Sequence, residues 1–193
     1  MQPDILHFIK HRPADKVPDS RLKQWQALAH AFQRDTSHPN LVFICTHNAR
    51  RSIMSECLAS ALANQLGVEG IRFYSAGAEK TIVHQNTLTA LEAIGFNINR
   101  ENGVTCSFAD DKSAIPLFSK SISDNILPSA YHAVLVCSDS DKSCPFVPAA
   151  LSRTLLPFAD PGKYDATRNA VTAYLGSARQ IAHELRYFLQ LLQ

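Results

Sequence analysis

The apolar stretch Leu41-Val42-Phe43-Ile44 runs directly into Cys45-Thr46-His47-Asn48-Ala49-Arg50-Arg51-Ser52, and an amphipathic helical pattern follows at once. Strand, short polar loop and helix, repeated along the chain from residue 41, imply a parallel sheet covered on both faces. The loop itself is a compact anion trap. Its backbone N–H groups, from Thr46, His47, Asn48, Ala49, Arg50 and Arg51, and the following helix N-terminus attract a tetrahedral dianion. Arg51 can grip two oxygens of that anion at once. The same field favours the thiolate of Cys45, the nucleophilic form of a cysteine, and Ser52 can donate a hydrogen bond to it. The bland alternative is a buried cysteine at a strand end beside a surface arginine pair. The strand before, the helix after, the serine beside the arginine and the asparagine at the fourth position outweigh it.

Around this segment, residues 1–39 form a helical N-terminal extension and residues 40–193 the main domain. Asp19 or Ser20 could cap a helix whose Leu22, Trp25, Leu28, Ala29 and Phe32 share one face. That face suits packing on the main domain, or a homodimer surface or lid. After the loop, Met54, Cys57, Leu58, Ala61 and Leu62 form the stripe of a helix ending near Gly67. A second strand spans 71–74 and is closed by Ser75-Ala76-Gly77. A helix then runs from about Gln85 to Ile94, with Gly95 as its stop. Residues 97–130, with Pro116, Pro128 and many Ser and Asp residues, read as a surface insertion. Ala133-Val134-Leu135-Val136 is a buried strand ending at Cys137, and Leu155-Leu156 lies in a short strand before Asp160-Pro161. Ala178, Ile181, Ala182, Leu185, Phe188, Leu189 and Leu192 form the packing face of a final helix.

Net charge is only +2, without blocks of like charge, which argues against nucleic acid or an anionic membrane as partner. No apolar run approaches the ~18 residues of a membrane span, and the N-terminus does not read as a signal peptide. Five cysteines in a chain of this size fit reduced thiols in the cytoplasm. Neither a Cys-x2-Cys pair nor HExxH is present, so no metal site is expected.

In an open parallel sheet, ligands bind beyond the carboxyl ends of the strands. Cys45, Cys137 and Asp160 each follow a predicted strand and should therefore share one rim. The polar segment Cys137-Ser138-Asp139-Ser140-Asp141-Lys142-Ser143-Cys144-Pro145 places two cysteines seven residues apart. A turn or a partly unwound helical segment could bring them within disulfide distance, while an extended strand could not. On their own they could equally be two unrelated thiols.

Taken together, the Cys45–Ser52 loop resembles that of the low-molecular-weight protein tyrosine phosphatase family. The Cys137–Pro145 stretch is similar to the redox segment of thioredoxin-coupled arsenate reductases, which share the fold. Ser75-Ala76-Gly77 and Asp160-Pro161 resemble further signatures in the same order. The resemblance covers about residues 40–192. It implies a three-layer α-β-α fold with a four-stranded parallel sheet, carrying the helical N-terminal extension.

The resemblance also implies roles. Cys45 would be the nucleophile, Arg51 the oxyanion clamp, Ser52 its activating neighbour and Asp160 the general acid. Cys137 and Cys144 would be the relay thiols, and Asn48 and Ser75 would support the loop. The implied activity is reduction of arsenate to arsenite, recycled by thioredoxin. The alternative is hydrolysis of phosphomonoesters, phosphotyrosine above all, through a phosphocysteine, and a weak hydrolase activity is expected even of a reductase. Gly162 stands where the eukaryotic-type phosphatases usually have an aromatic residue, which weakens the tyrosine phosphatase reading. No cofactor is implied, although Asn48, Glu56 and Ser75 resemble part of a structural potassium site. Cys57 and Cys106 read as core residues, and the Arg50 side chain as a solvated group with a small part in steering anions.

Overall fold

The computed structural model describes residues 4–10, 17–35, 37–108, 114–138, 147 and 149–193. Its elements are α1 (Ile5–Lys10), α2 (Asp19–Arg34), β1 (Asn40–Cys45), α3 (Arg51–Leu66), β2 (Arg72–Gly77) and α4 (Gln85–Ile94). Three short strands follow, β3 (Asn97–Asn99), β4 (Thr105–Ser107) and β5 (Ile115–Pro116). The chain continues with β6 (Tyr131–Leu135), β7 (Ala150–Leu155), a 3-10 turn (Pro161–Tyr164) and α5 (Ala170–Gln190).

The main sheet is parallel throughout, in the order β2-β1-β6-β7. β1 and β6 are the central pair, with Ile44 opposite Leu135, while Cys45 lies opposite Gly77 of β2. The connection from β1 leads one way along the sheet and that from β6 the other. The crevice between their carboxyl ends is therefore the switch point where such sheets bind ligands. Alternation along β1 sends Leu41, Phe43 and Cys45 to the larger core, which the described helices cover. Val42 and Ile44 face the smaller one, closed by Ile122, Leu127 and Val147.

β2 continues through Gly77 instead of stopping at Tyr74, because each of its residues keeps a partner on β1. β6 begins at Tyr131, two residues before the expected start. β7 reaches back to Ala150. As an edge strand with Leu151 half exposed, it lacks the continuous apolar run that marks a buried parallel strand. α3 is buried nearly all round rather than along one stripe, with Ser52, Ser55, Glu56 and Ala59 enclosed as well. Gly67 ends it in the left-handed conformation. Neither Asp19 nor Ser20 caps α2; Pro18 holds that position and Asp19 is already helical.

Residues 97–130 are more than a surface insertion. β3, β4 and β5 form a small antiparallel sheet. Beyond it the chain turns inward, burying Leu117, Ser119 and Lys120, and bridges to the end of β2 through Gly77 N–H to Lys120 C=O (2.8 Å) and Ile122 N–H to Gly77 C=O (2.9 Å).

The N-terminal helices join the same core. Trp25 is fully buried against Phe188 of α5, ring centroids 5.3 Å apart, and its Nε1–H donates to Glu184 at 2.8 Å. Arg21 donates to both oxygens of Glu184 and to the Pro157 carbonyl, closing a clasp between α2 and α5. The apolar face of α2 is thus covered within the chain. Among the described residues, no helix is long and apolar enough to cross a membrane.

Candidate active site

The loop after β1 is held from outside by its carbonyls. Those of Cys45 and Thr46 accept from the N–H groups of Ala78 and Glu79. That of His47 accepts from the hydroxyls of Thr81 and Ser119, and that of Ala49 from Thr87 Oγ1 and the His84 N–H. The Arg50 carbonyl accepts from the Met54 N–H. A trans peptide points its N–H opposite to the preceding C=O. Outward carbonyls on Cys45, Thr46, His47, Ala49 and Arg50 therefore turn the N–H groups of the following residues inward, which makes an anion-binding nest. Gly77 permits the close approach: a Cβ there would lie 2.7 Å from the Asn48 nitrogen.

Asn48 is fully buried with φ of +46°. Its Oδ1 accepts from the Lys120 N–H at 2.7 Å, and its Nδ2 donates to Ser52 Oγ at 2.8 Å. Because Ser52 Oγ already accepts from Asn48, its own hydrogen is free for the Cys45 sulfur, 3.0 Å away. The order Asn48 to Ser52 to Cys45 is thereby fixed.

Arg51 opens α3 and reaches across the mouth of the loop. It donates to Asp160 Oδ2 at 2.9 Å and to the Phe158 carbonyl at 3.1 Å. Asp160 is half exposed, and its other oxygen caps the 3-10 turn through the Gly162 N–H (2.9 Å). Cys45, Thr46, His47, Ala49, Arg50, Arg51 and Asp160 line a small cavity of about 20 Å³ at the mouth of the loop. Cys137 follows β6, its side chain buried, with its sulfur 3.4 Å from Thr46 Oγ1. Cys144 lies outside the described residues. None of Cys45, Cys57, Cys106 and Cys137 is in a disulfide. The hydrogen bond to Cys106 and complete burial push the Cys57 thiol well up, so that pair belongs to the core.

Arg50 departs from its expected solvated role. Its Nη2 pairs with Asp165 at 2.5 Å and its Nε donates to the Tyr174 hydroxyl at 2.8 Å. Tyr174 in turn donates to Asp165 at 2.6 Å, and Asn86 donates to it at 3.2 Å. Burial and the bond to Asp165 push the Tyr174 hydroxyl up, keeping it a donor. Burial opposes the Asp165 charge, but Tyr174, Arg50 and Asn86 hold its carboxyl below the ordinary value. Arg50 also accounts for Gly162, since a Cβ there would lie 3.1 Å from Arg50 Nε and from Asp160 Oδ1. A side chain at 162 would press on the Arg50 guanidinium and on the Asp160 carboxylate.

Of Asn48, Glu56 and Ser75, only Glu56 and Ser75 meet directly, and Asn48 reaches them through Lys120; the set does not fit a potassium ion. The Ser75 hydroxyl donates to Glu56 Oε2 at 2.5 Å, and the ammonium of Lys120 sits 3.1 Å from the same oxygen. Lys120, Ser119, Thr81, Thr87, Asp165 and Tyr174 all escape a reading of the sequence. Each meets the loop from a distant segment, and no spacing signals it.

A buried thiol ringed by inward peptide N–H groups, with arginine and aspartate at its mouth and a second thiol just past the end of the neighbouring strand, defines a cysteine-based oxyanion site. The family model described as low molecular weight phosphotyrosine protein phosphatase matches residues 40–109. An arsenate reductase of Staphylococcus aureus is 30% identical over 121 residues, 63% of this chain and 77% of that protein. The chain belongs to the low-molecular-weight phosphotyrosine protein phosphatase family together with such reductases. An arsenate reductase of Bacillus subtilis is 28% identical over 151 residues, 78% of this chain and 94% of that protein. The crystal structure of an arsenate reductase from Archaeoglobus fulgidus shares the fold, with a TM-score of 0.54 at 22% identity over 78% of this chain and 98% of its own.

Proposed function

We propose that the chain reduces arsenate to arsenite through a relay of Cys45, Cys137 and Cys144. The observation that carries this reading is the position of Cys137, whose sulfur lies 3.4 Å from the hydroxyl of Thr46, the residue next to the nucleophile. Continuing the β1–β6 register sets Cys45 opposite Val136, with Cys137 one residue on. One strand spacing and one residue rise then separate their Cα atoms by about 6 Å, inside the range a disulfide spans.

In this scheme arsenate binds in the nest, its oxygens held by the N–H groups and Arg51. The Cys45 thiolate attacks arsenic, an As–O bond breaks, and the oxygen leaves as water with a proton from Asp160. The Cys137 thiolate then attacks the Cys45 sulfur. The S–As bond breaks, its electron pair stays on arsenic, and arsenite departs with protons from solvent, leaving a Cys45–Cys137 disulfide. Cys144 attacks Cys137 and frees Cys45, and the resulting Cys137–Cys144 disulfide is reduced by thioredoxin in the cytoplasm.

The first step is shared with phosphomonoester hydrolysis, so slow hydrolysis of activated aryl phosphates belongs to the proposal. Gly162, in place of an aromatic residue after Asp160-Pro161, supports the reductase reading over one specific for phosphotyrosine. The test is arsenate turnover by the full chain with thioredoxin, thioredoxin reductase and NADPH. Arsenite should form in step with NADPH oxidation, and Cys45→Ser should abolish both this and aryl-phosphate hydrolysis. Aryl-phosphate hydrolysis without any arsenite would replace the reductase reading with the hydrolase one.

A further inference from the structure

Glu56 and Lys120 form an ion pair sealed inside the protein, each side chain only 5% exposed, with Lys120 Nζ 3.1 Å from Glu56 Oε2. Glu56 sits on α3 one turn beyond Ser52, while Lys120 comes from the segment shortly after β5 in the 97–130 stretch. Removing two charges from water is unfavourable unless something holds them in good geometry. Here the Ser75 hydroxyl donates to the same carboxylate oxygen at 2.5 Å, and the ammonium lies 5.1 Å above the Phe118 ring. Burial pushes the Glu56 carboxyl up, against the pull of Lys120 and Ser75.

The backbone of Lys120 is tied to the oxyanion loop by the same residues' neighbours. Its N–H donates to Asn48 Oδ1 at 2.7 Å, and its C=O accepts from the Gly77 N–H at 2.8 Å. Ser119 beside it donates to the His47 carbonyl at 3.0 Å and accepts from the Thr81 N–H at 2.9 Å. One dipeptide therefore joins the loop, the end of β2 and α3. Its ammonium supplies positive charge where Asn48, Glu56 and Ser75 leave an uncompensated carboxylate. A metal cation added beside Glu56 would meet a like charge already seated there.

We propose that Lys120 is a built-in cation: a positioning residue whose ammonium holds Glu56 and Ser75 and, through its own backbone, Asn48, so that the oxyanion loop keeps its shape without potassium. It touches no substrate. Its contribution is the arrangement of the anion nest, and it holds whichever oxyanion the site processes.

The experiment compares the full-length wild type with Lys120→Ala and Lys120→Met. Each is placed in choline, sodium, potassium and ammonium chloride at equal ionic strength. Thermal unfolding and the affinity for inorganic phosphate are both read, so failure of the arsenate reading would not affect the outcome. The wild type should give the same midpoint and phosphate affinity in all four salts. Lys120→Ala should bind phosphate about tenfold or more weakly in choline, because a buried carboxylate has lost its partner. Potassium or ammonium should restore most of that loss by entering the vacated space. Lys120→Met fills the space without charge and should stay impaired in every salt. A wild type selectively stabilised by potassium would overturn the proposal, and that result stands even if Lys120→Ala does not fold. A folded Lys120→Ala that matches wild type in choline, or is rescued by no small cation, would overturn it as well.

Discussion

Asn48→Ala tests whether the oxyanion loop is organised from its centre. The substitution removes two buried hydrogen bonds, the one from the Lys120 N–H (2.7 Å) and the one to Ser52 Oγ (2.8 Å). It leaves a buried N–H unsatisfied, at a cost of about 1–3 kcal/mol. It also puts a Cβ without a compensating amide at φ of +46°, where alanine costs about 1 kcal/mol more than a residue tolerant of that region. A total near 3 kcal/mol corresponds to a fall in Tm of about 6–12 °C for a chain of this size. Asn48→Gly loses the same hydrogen bonds without the backbone strain and should recover about 1 kcal/mol of the loss. Both variants should also lose kcat, because the Ser52 hydroxyl no longer has a fixed direction toward Cys45. Urea titration with unchanged slope and steady-state kinetics read the two effects separately. Equal stability of wild type and both variants, or a full loss of stability with kcat intact, would refute the chain of bonds from Asn48 through Ser52 to the thiol.

Substitutions at three further positions probe the surroundings. Asp160→Asn should slow hydrolysis by roughly 10²–10⁴-fold for poor leaving groups and much less for activated esters, as expected of a lost general acid; equal losses across a leaving-group series would make Asp160 structural. The Asp165 carboxyl is held below its ordinary value in the fold, so its network contributes stability above the unfolded value near pH 4 and loses it as pH falls through the folded value. Asp165→Asn should therefore be less stable than wild type at neutral pH, with the difference narrowing in acid. A constant gap between the two unfolding curves from neutral to acid pH would show that the ionised carboxylate is not what counts. Glu184→Ala strands Arg21 and the Trp25 Nε1–H and should lower the unfolding free energy by roughly 3 kcal/mol. Glu184→Gln, which keeps an acceptor for Trp25, should lose less, and equal losses would shift the weight to the charge alone.

The loop could be read from the sequence because its chemistry is contiguous: thiol, asparagine, arginine and serine stand in one octapeptide flanked by unambiguous strand and helix patterns. Cys137 and Asp160 were legible through their places after apolar strands. The supports were not. Arg50 finds its partners Asp165 and Tyr174 at separations of 115 and 124 residues, and nothing local distinguishes it from a solvated arginine. Lys120 follows an irregular run with three short strand pieces, where a lysine reads as a surface residue until tertiary structure encloses it. β7 was underestimated because edge strands carry polar residues on the exposed side. The last turn of β2 was hidden in the small residues Ser75-Ala76-Gly77, whose pairing with β1 has no side-chain signature.

The most direct test of the relay is the state in which each cysteine variant stops after arsenate is added without a reductant. Cys144→Ser should release about one arsenite per enzyme and accumulate a Cys45–Cys137 disulfide, visible by mass spectrometry under non-reducing conditions. Cys137→Ser should release none and stall as the arsenate adduct on Cys45, with aryl-phosphate hydrolysis near wild type in both. Sustained turnover by either variant when thioredoxin is supplied, or the absence of a Cys45–Cys137 disulfide in Cys144→Ser, would contradict the relay.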